Sequence, residues 1–228
     1  MKTKLISMAA IVAITLIFGC KKTNSSSANG VSYQFKTINP TAILAYSTGN
    51  PLIMSPVGVQ GGTITWTSGY ASATEIKFEA EGSGNHVKFQ SETPVKIDLF
   101  SPISSLGNIS IPTGVYDTAQ FEIDLAPTAT DAALELNGKY DTIPVTFRIN
   151  KSYEFDAEQP RITIADGQTY TAATALNLAN LTQGISGATL SAATRDSSGT
   201  IVISDSSNVS IYDAVIANLK NSEEEDFR

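Results

Sequence analysis

From Val31 to about Ala165 apolar residues recur at every second position, in short runs broken by turn residues. That is the period of a strand with one buried face. The clearest runs are Val31-Ser32-Tyr33-Gln34-Phe35, Thr63-Ile64-Thr65-Trp66-Thr67 and Glu75-Ile76-Lys77-Phe78-Glu79-Ala80. Others lie at Val87–Phe89, Val95–Leu99, Gln120–Leu125, Ala133–Leu136 and Val145–Ile149. A sheet with one apolar face needs a second layer to cover it. The pattern therefore predicts a mainly β domain over residues 31–221, an antiparallel β-sandwich of immunoglobulin/transthyretin-like kind. Glu81–Asn85 and Asn137-Gly138-Lys139 read as hairpin connections, because glycine supplies the positive φ of tight turns. Pro94, Pro112 and Pro144 belong at strand starts, edges or bulges, since proline cannot donate to the ladder.

The pattern changes after Gln168. Thr171–Gln183, with Leu176, Leu178 and Leu181, fits both the strand and the helix period, and its Ala and Leu content tips it toward helix. Gly199–Ser204 reads as a strand. Ser210-Ile211-Tyr212-Asp213 offers a capping box, so a C-terminal helix is expected over 210–221, with Ile211, Val215, Ile216 and Leu219 on one face. Glu223-Glu224-Glu225-Asp226 opposes the dipole at that helix's end, so residues 222–228 are expected as a solvated, mobile acidic tail.

The N-terminus carries a different message. Met1-Lys2-Thr3-Lys4 is a basic start, Leu5 to Phe18 is apolar, and Gly19 precedes Cys20, the only cysteine of the chain. The apolar run is shorter than the roughly 20 residues that span a bilayer, and a charged start with a small-residue end marks a removed signal peptide, here residues 1–19. A plain secretory signal would leave one odd thiol at the new N-terminus. Ile17-Phe18-Gly19-Cys20 instead resembles a bacterial lipobox. That resemblance implies cleavage between Gly19 and Cys20 and acylation of Cys20. Each buried methylene then contributes about 0.8 kcal/mol to membrane attachment. Residues 20–30, Cys20-Lys21-Lys22-Thr23-Asn24-Ser25-Ser26-Ser27-Ala28-Asn29-Gly30, read as the lipidated cysteine and a flexible polar tether. A non-acidic residue after the cysteine suits the outer membrane.

Charge and composition narrow the partners. The chain has 22 acidic and 15 basic residues. Losing Lys2 and Lys4 with the signal leaves 13 basic residues and a net charge of −9, which argues against nucleic acid. With no second cysteine, no intramolecular disulfide forms, and apolar burial and backbone hydrogen bonds must hold the fold.

Four further segments carry a wider resemblance: Lys96-Ile97-Asp98-Leu99-Phe100, Ile111-Pro112-Thr113-Gly114-Val115-Tyr116, Phe121-Glu122-Ile123-Asp124-Leu125 and the closing stretch Gly199 to Leu219. Together they resemble an uncharacterised lipoprotein group of Bacteroidota. The resemblance implies an envelope location and an all-β fold, and it carries no catalytic residue across.

Catalytic equipment is sparse. His86 is the single histidine and follows a Gly-Ser-Gly-Asn turn, the place of an exposed hairpin residue. A metal site built from several His or Cys ligands is excluded by composition, and no metal or cofactor is expected. Asp98, Glu122 and Asp124 could in principle serve a carboxylate-based glycosidase, but each alternates with apolar neighbours as on a solvated sheet face. No P-loop, dinucleotide-binding or nucleophile-elbow pattern occurs. Trp66 and Tyr70 offer a weak aromatic platform for a glycan, against the commoner reading of such a Trp as core. Asp196-Ser197-Ser198-Gly199 and Asp205-Ser206-Ser207-Asn208 carry oxygen ligands of the kind calcium takes, and read first as turns. The expectation is a non-enzymatic lipoprotein of the outer membrane that binds or scaffolds an envelope protein or a glycan, with a surface-filament subunit as a further alternative.

Overall fold

The computed structural model describes residues 29–46, 61–101 and 105–228. The lipobox Ile17–Cys20 and the tether through Ala28 lie outside the described residues. In chain order the elements are β1 (Gly30–Ile38), β2 (Thr41–Ile43), β3 (Thr63–Gly82), β4 (Asn85–Ser91), β5 (Val95–Asp98), β6 (Ser105–Ser110), β7 (Gly114–Leu125), β8 (Leu134–Tyr140), β9 (Ile143–Ile149), β10 (Tyr153–Ile164) and β11 (Thr169–Asn177). They continue with α1 (Leu178–Leu181), α2 (Gly187–Ser191), β12 (Ile201–Ile203), α3 (Val209–Leu219) and β13 (Glu223–Phe227). The chain is mainly β, as its alternation predicts.

The strands form two sheets. One has four strands in the order β13-β11-β1-β6. The other has nine, with the path β10-β7-β3-β8-β9-β12 and with β2, β4 and β5 also paired to β3. The sheets meet through β1, whose Val31, Tyr33 and Phe35 are buried while the residues between them are not. Tyr33 stacks on Phe121 of β7 with ring centroids 4.8 Å apart, and Phe35 packs on Phe155 of β10 at 4.9 Å. Two ladders, β1 with β11 and β9 with β12, are parallel, so the arrangement is not purely antiparallel.

The 20-residue strand β3 organises the larger sheet. Its buried residues change parity twice: Ile64 and Trp66, then Ala71 and Ala73, then Ile76, Phe78 and Ala80. The pairing explains this. Trp66 faces Gly138 and Ser68 faces Asn137, which leaves Thr67 as an extra residue; Ala73 faces Leu125 and Glu75 faces Asp124, which leaves Thr74 as a second. Each bulge turns the following side chains to the other face. Thr63–Thr67 and Glu75–Ala80, two runs in the sequence, are thus two ends of one strand.

Several expectations need correction. Asn137-Gly138-Lys139 is not a connection but part of β8, and the turn lies at Asp141, whose φ is 50°. Glycine is needed at 138 because a Cβ there would lie 2.3 Å from the Thr65 carbonyl oxygen. Thr171–Gln183 is mostly strand, with only one helical turn, capped by Asn177 accepting from the Ala179 N–H at 3.2 Å. Ala172, Ala173, Thr174, Ala175 and Leu176 are all buried, as befits a strand covered on both faces, where small apolar residues pack without marking a helix.

The C-terminal helix starts at Val209, with Ile211, Tyr212, Val215 and Leu219 buried, and not at a Ser210 cap. Asn208 occupies the cap position in the left-handed region. Its side chain ties loop to strand instead, donating to the Thr194 and Val202 carbonyls at 2.9 and 2.8 Å.

Residues 223–227 are not a mobile tail, although Glu224 and Asp226 are exposed to solvent. They form β13, antiparallel to β11, and Arg228 exchanges two backbone hydrogen bonds with Thr171 at 2.7 and 3.0 Å. Phe227 stacks on Tyr170, Glu223 accepts from the Tyr153 hydroxyl, and Glu224 accepts from Asn177. The ladder uses backbone groups that are the same for Glu as for Val, and β11 has a free edge to fill. At the other terminus Asn29 and Gly30, expected at the end of the tether, belong to the fold. The Asn29 Oδ1 accepts from the Gly167 N–H at 2.6 Å, and Gly30 pairs with Thr169 and Ser110.

Candidate functional site

Trp66 and Tyr70 are four residues apart and would share a face of a regular strand. The bulge at Thr67 separates them. Trp66 is 3% exposed and faces the core, the commoner reading of such a Trp, so its ring offers no platform to a glycan and the weaker glycan reading of it is corrected. Tyr70 is half-buried on the outer face of the larger sheet, paired with Glu135 of β8 and Asp98 of β5.

Around Tyr70 lies an open cleft of about 350 Å³, bounded by the 127–132 loop and by Glu135, Arg148 and Asn150. The loop is tied to itself. The Thr128 hydroxyl oxygen accepts from the N–H groups of Thr130 and Asp131 at 3.2 and 3.0 Å, the Thr128 N–H donates to the Asp131 carbonyl at 2.8 Å, and the Tyr70 hydroxyl accepts from the Ala132 N–H at 3.2 Å. Lys96 of β5 bonds Asp131 and sits 3.7 Å from the centre of the Tyr70 ring. The contact with Lys96 holds the Asp131 carboxyl below the usual carboxylate range, and Asp131 in turn raises the pKa of Lys96. Burial raises the pKa of the Tyr70 phenol.

On the other wall a chain of hydrogen bonds crosses β8 and β9. The Thr146 hydroxyl donates to Asn137 at 2.8 Å, Asn137 donates to Glu135 at 2.9 Å, and the Arg148 Nε donates to the second Glu135 oxygen at 2.7 Å. Arg148 is thereby held by its inner nitrogen. The amide of Asn150 donates to Asp205 at 3.3 Å.

The other sequence candidates fall elsewhere. His86 is an exposed residue of β4 whose Nε2 lies 2.8 Å from Glu79, and this hydrogen bond lowers the pKa of Glu79. Glu79, Glu81 and His86 bring potential ligand atoms within 4.8 Å of one another, as do Glu122, Asp124 and Glu154, so these are the groupings among the described residues that could meet a cation. In the second set Glu122 and Asp124 both accept from Lys77, whose pKa these bonds raise. Asp98 stands apart from them on β5, where it accepts from the Phe100 N–H at 2.9 Å, so the three carboxylates do not converge. Asp196 makes a turn: one oxygen accepts from the Ser198 N–H and hydroxyl and from the Thr200 N–H at 2.7–3.0 Å, bonds that lower its pKa. The turn after Asp205 is closed by a reciprocal backbone pair between Ser204 and Ser207.

Sequence reasoning found Tyr70 but not Lys96, Asp131, Glu135, Arg148 or Asn150. These come from three strands and two loops and read individually as polar positions of a solvated face. Only the ladder of β3, β8 and β9 brings them together.

The cleft also has a defined place relative to the start of β1 at Gly30. At the far end of that strand the Thr37 N–H donates to Leu99, and the Leu99 N–H donates to Gly69, next to Tyr70. From Gly30 to Thr37 an extended strand spans about 23 Å.

Compared with family models, with curated proteins and with solved structures, the chain matches none.

Proposed function

We propose that this chain is a lipid-anchored protein of the bacterial outer membrane, held through Cys20, whose β domain is a non-enzymatic binding or scaffolding module. The lipobox Ile17–Cys20 and the polar residues after it support the anchor. No helix among the described residues is long and apolar enough to cross a membrane, which is compatible with attachment by lipid. The observation that carries the binding role is the position of the Tyr70–Arg148 cleft, about 23 Å along β1 from the point where the tether joins. A domain tethered flexibly at Gly30 leaves a cleft at the far end of β1 free to meet a ligand.

The anchor is tested by Cys20→Ser followed by detergent phase partitioning. The parent protein should enter the detergent phase and the variant the aqueous phase. A variant of normal mature mass that still partitions into detergent overturns the anchor.

A surface-filament subunit is the second reading, and β13 is the observation that favours it. An edge strand at the end of the chain closes the four-stranded sheet, and exchange of such a strand between molecules is a known route to assembly.

A further inference from the structure

Three features of the surface invite a ligand. A hollow of about 600 Å³ beside Tyr46 and Gly187 has one buried phenol, Tyr140, already engaged with Gly61, Gly187 and Ser191. The seam between the sheets beside Phe227 holds only about 20 Å³, room for a water. The Tyr70 cleft is different, because it is roomy, polar and pre-shaped.

We infer that the Tyr70 cleft is a binding site for a neutral, hydroxyl-rich ligand, a saccharide chain without charged groups. This rests on the reading of the domain as a binding module and names what it binds.

The charge pattern selects a neutral ligand. Two cations, Lys96 and Arg148, each stand against one carboxylate, Asp131 and Glu135, at the cleft. The pairs cancel, so the site has no net attraction for an anion, and the acidic chain as a whole repels one. A cation would have to compete with the ammonium and guanidinium on Asp131 and Glu135, and the further carboxylate beside the cleft, Asp205, is bonded by the Asn150 amide.

The polar groups suit a polyol. A sugar hydroxyl both donates and accepts, so its site must offer both functions at close spacing. Arg148 uses Nε on Glu135, and among the described residues its two terminal nitrogens have no partner; they are donors at the cleft wall. Beside its bond to Asp205, Asn150 keeps a second N–H and its amide oxygen. The Thr130 hydroxyl donates to Asp131 and keeps an accepting lone pair, and Asp131 and Glu135, each oxygen of which accepts one bond, keep further acceptor capacity. The apolar lining is limited to Pro127, Ala129, Ala132 and the Tyr70 ring, too little to hold an apolar ligand.

The topology argues against an extended peptide. Strand addition requires a free edge, but β8 lies between β3 and β9, and β9 lies between β8 and β12. Recognition at this face must come from side chains. The internal bonds of the 127–132 loop and the Thr146–Asn137–Glu135–Arg148 chain fix those side chains in advance, which reduces the ordering cost that weakens polar binding.

The test uses the intact lipidated protein in a detergent without a sugar headgroup. Calorimetric titration compares neutral hexasaccharides of glucose, xylose and mannose with an oligogalacturonate of the same length. A neutral hexasaccharide should bind with a dissociation constant in the range of about 10 µM to 1 mM. Arg148→Lys keeps the charge and loses the fork, and Asn150→Ala alters an exposed side chain; each should weaken binding about tenfold or more with an unchanged circular dichroism spectrum. Absence of heat with every neutral hexasaccharide, tighter binding of the oligogalacturonate, or undiminished binding by both variants overturns the inference. Photo-crosslinking from residue 150 in the native envelope separates the two readings. A stoichiometric protein adduct without saccharide binding removes the ligand class and leaves the binding module standing, whereas failure of both removes the module at this cleft.

Discussion

Trp66 combines burial with an unmet polar group. Its Nε1 is the only buried side-chain nitrogen or oxygen among the described residues without a hydrogen-bond partner. A buried unpaired donor costs about 1–3 kcal/mol, and a ring made smaller by substitution leaves a void of comparable cost. Trp66→Phe should therefore change stability by no more than about 1 kcal/mol, as the two effects offset each other. Trp66→Ala removes the whole ring and should cost about 3–5 kcal/mol in denaturant unfolding. Because the chain has one tryptophan, its fluorescence reports on this position alone: emission should be blue-shifted and poorly quenched by acrylamide. Solvent-like emission and efficient quenching would instead restore the exposed platform. The sequence showed that residue 66 is aromatic and in a strand. Its alternation with Ile64 puts it on the buried face, and what Thr67 decides, as a bulge without a residue signature of its own, is that Tyr70 turns to the other face.

At the scale of elements, β3 shows how far alternation can be trusted. Period-2 patterning located both ends of the strand, and also β1, β5 and β9, because each has one wet face and one dry one, and it located β4 although neither of that strand's faces is buried. It failed at two other strands where that condition is not met. β11 is covered on both faces, so its Ala-rich run looked helical, and β13 is held by ladder and cap-like contacts in spite of four consecutive acids. Gly138 is the residue through which β8 accommodates the first bulge of β3. Gly138→Ala places a methyl 2.3 Å from the Thr65 carbonyl oxygen, a backbone atom that moves only if the bulge moves. The substitution should cost about 1–3 kcal/mol by denaturant titration. In Gly84→Ala the added methyl meets nothing within 4 Å, so only the strain of φ +90° remains and the loss should be about 1 kcal/mol. Equal effects at the two positions would show that the bulge does not require the glycine.

Across the whole molecule, the first strand and the last flank the same neighbour: β1 and β13 both pair with β11. β13 covers the edge of β11 and is itself the edge strand of this sheet, so removal of residues 223–228 transfers the open edge to the apolar β11. Open edges recruit other strands. The truncated protein should unfold at lower denaturant and show concentration-dependent association by light scattering, while the complete chain does not associate through this edge. A truncated chain that stays monomeric with unchanged stability would remove β13 from the fold's closure and deprive the filament reading of its support. The amino-acid sequence alone determined that the chain is mainly β and where most strands and the C-terminal helix lie, because alternation and turn chemistry are local properties. Only the tertiary structure decided that Tyr70 turns to the face opposite Trp66, that the acidic C-terminus is a strand, and that Asp131, Glu135, Arg148 and Asn150 share one cleft with Tyr70, beside Lys96. Those outcomes depend on register and on pairing between residues far apart in the chain, and a bulge of one residue is enough to reverse them.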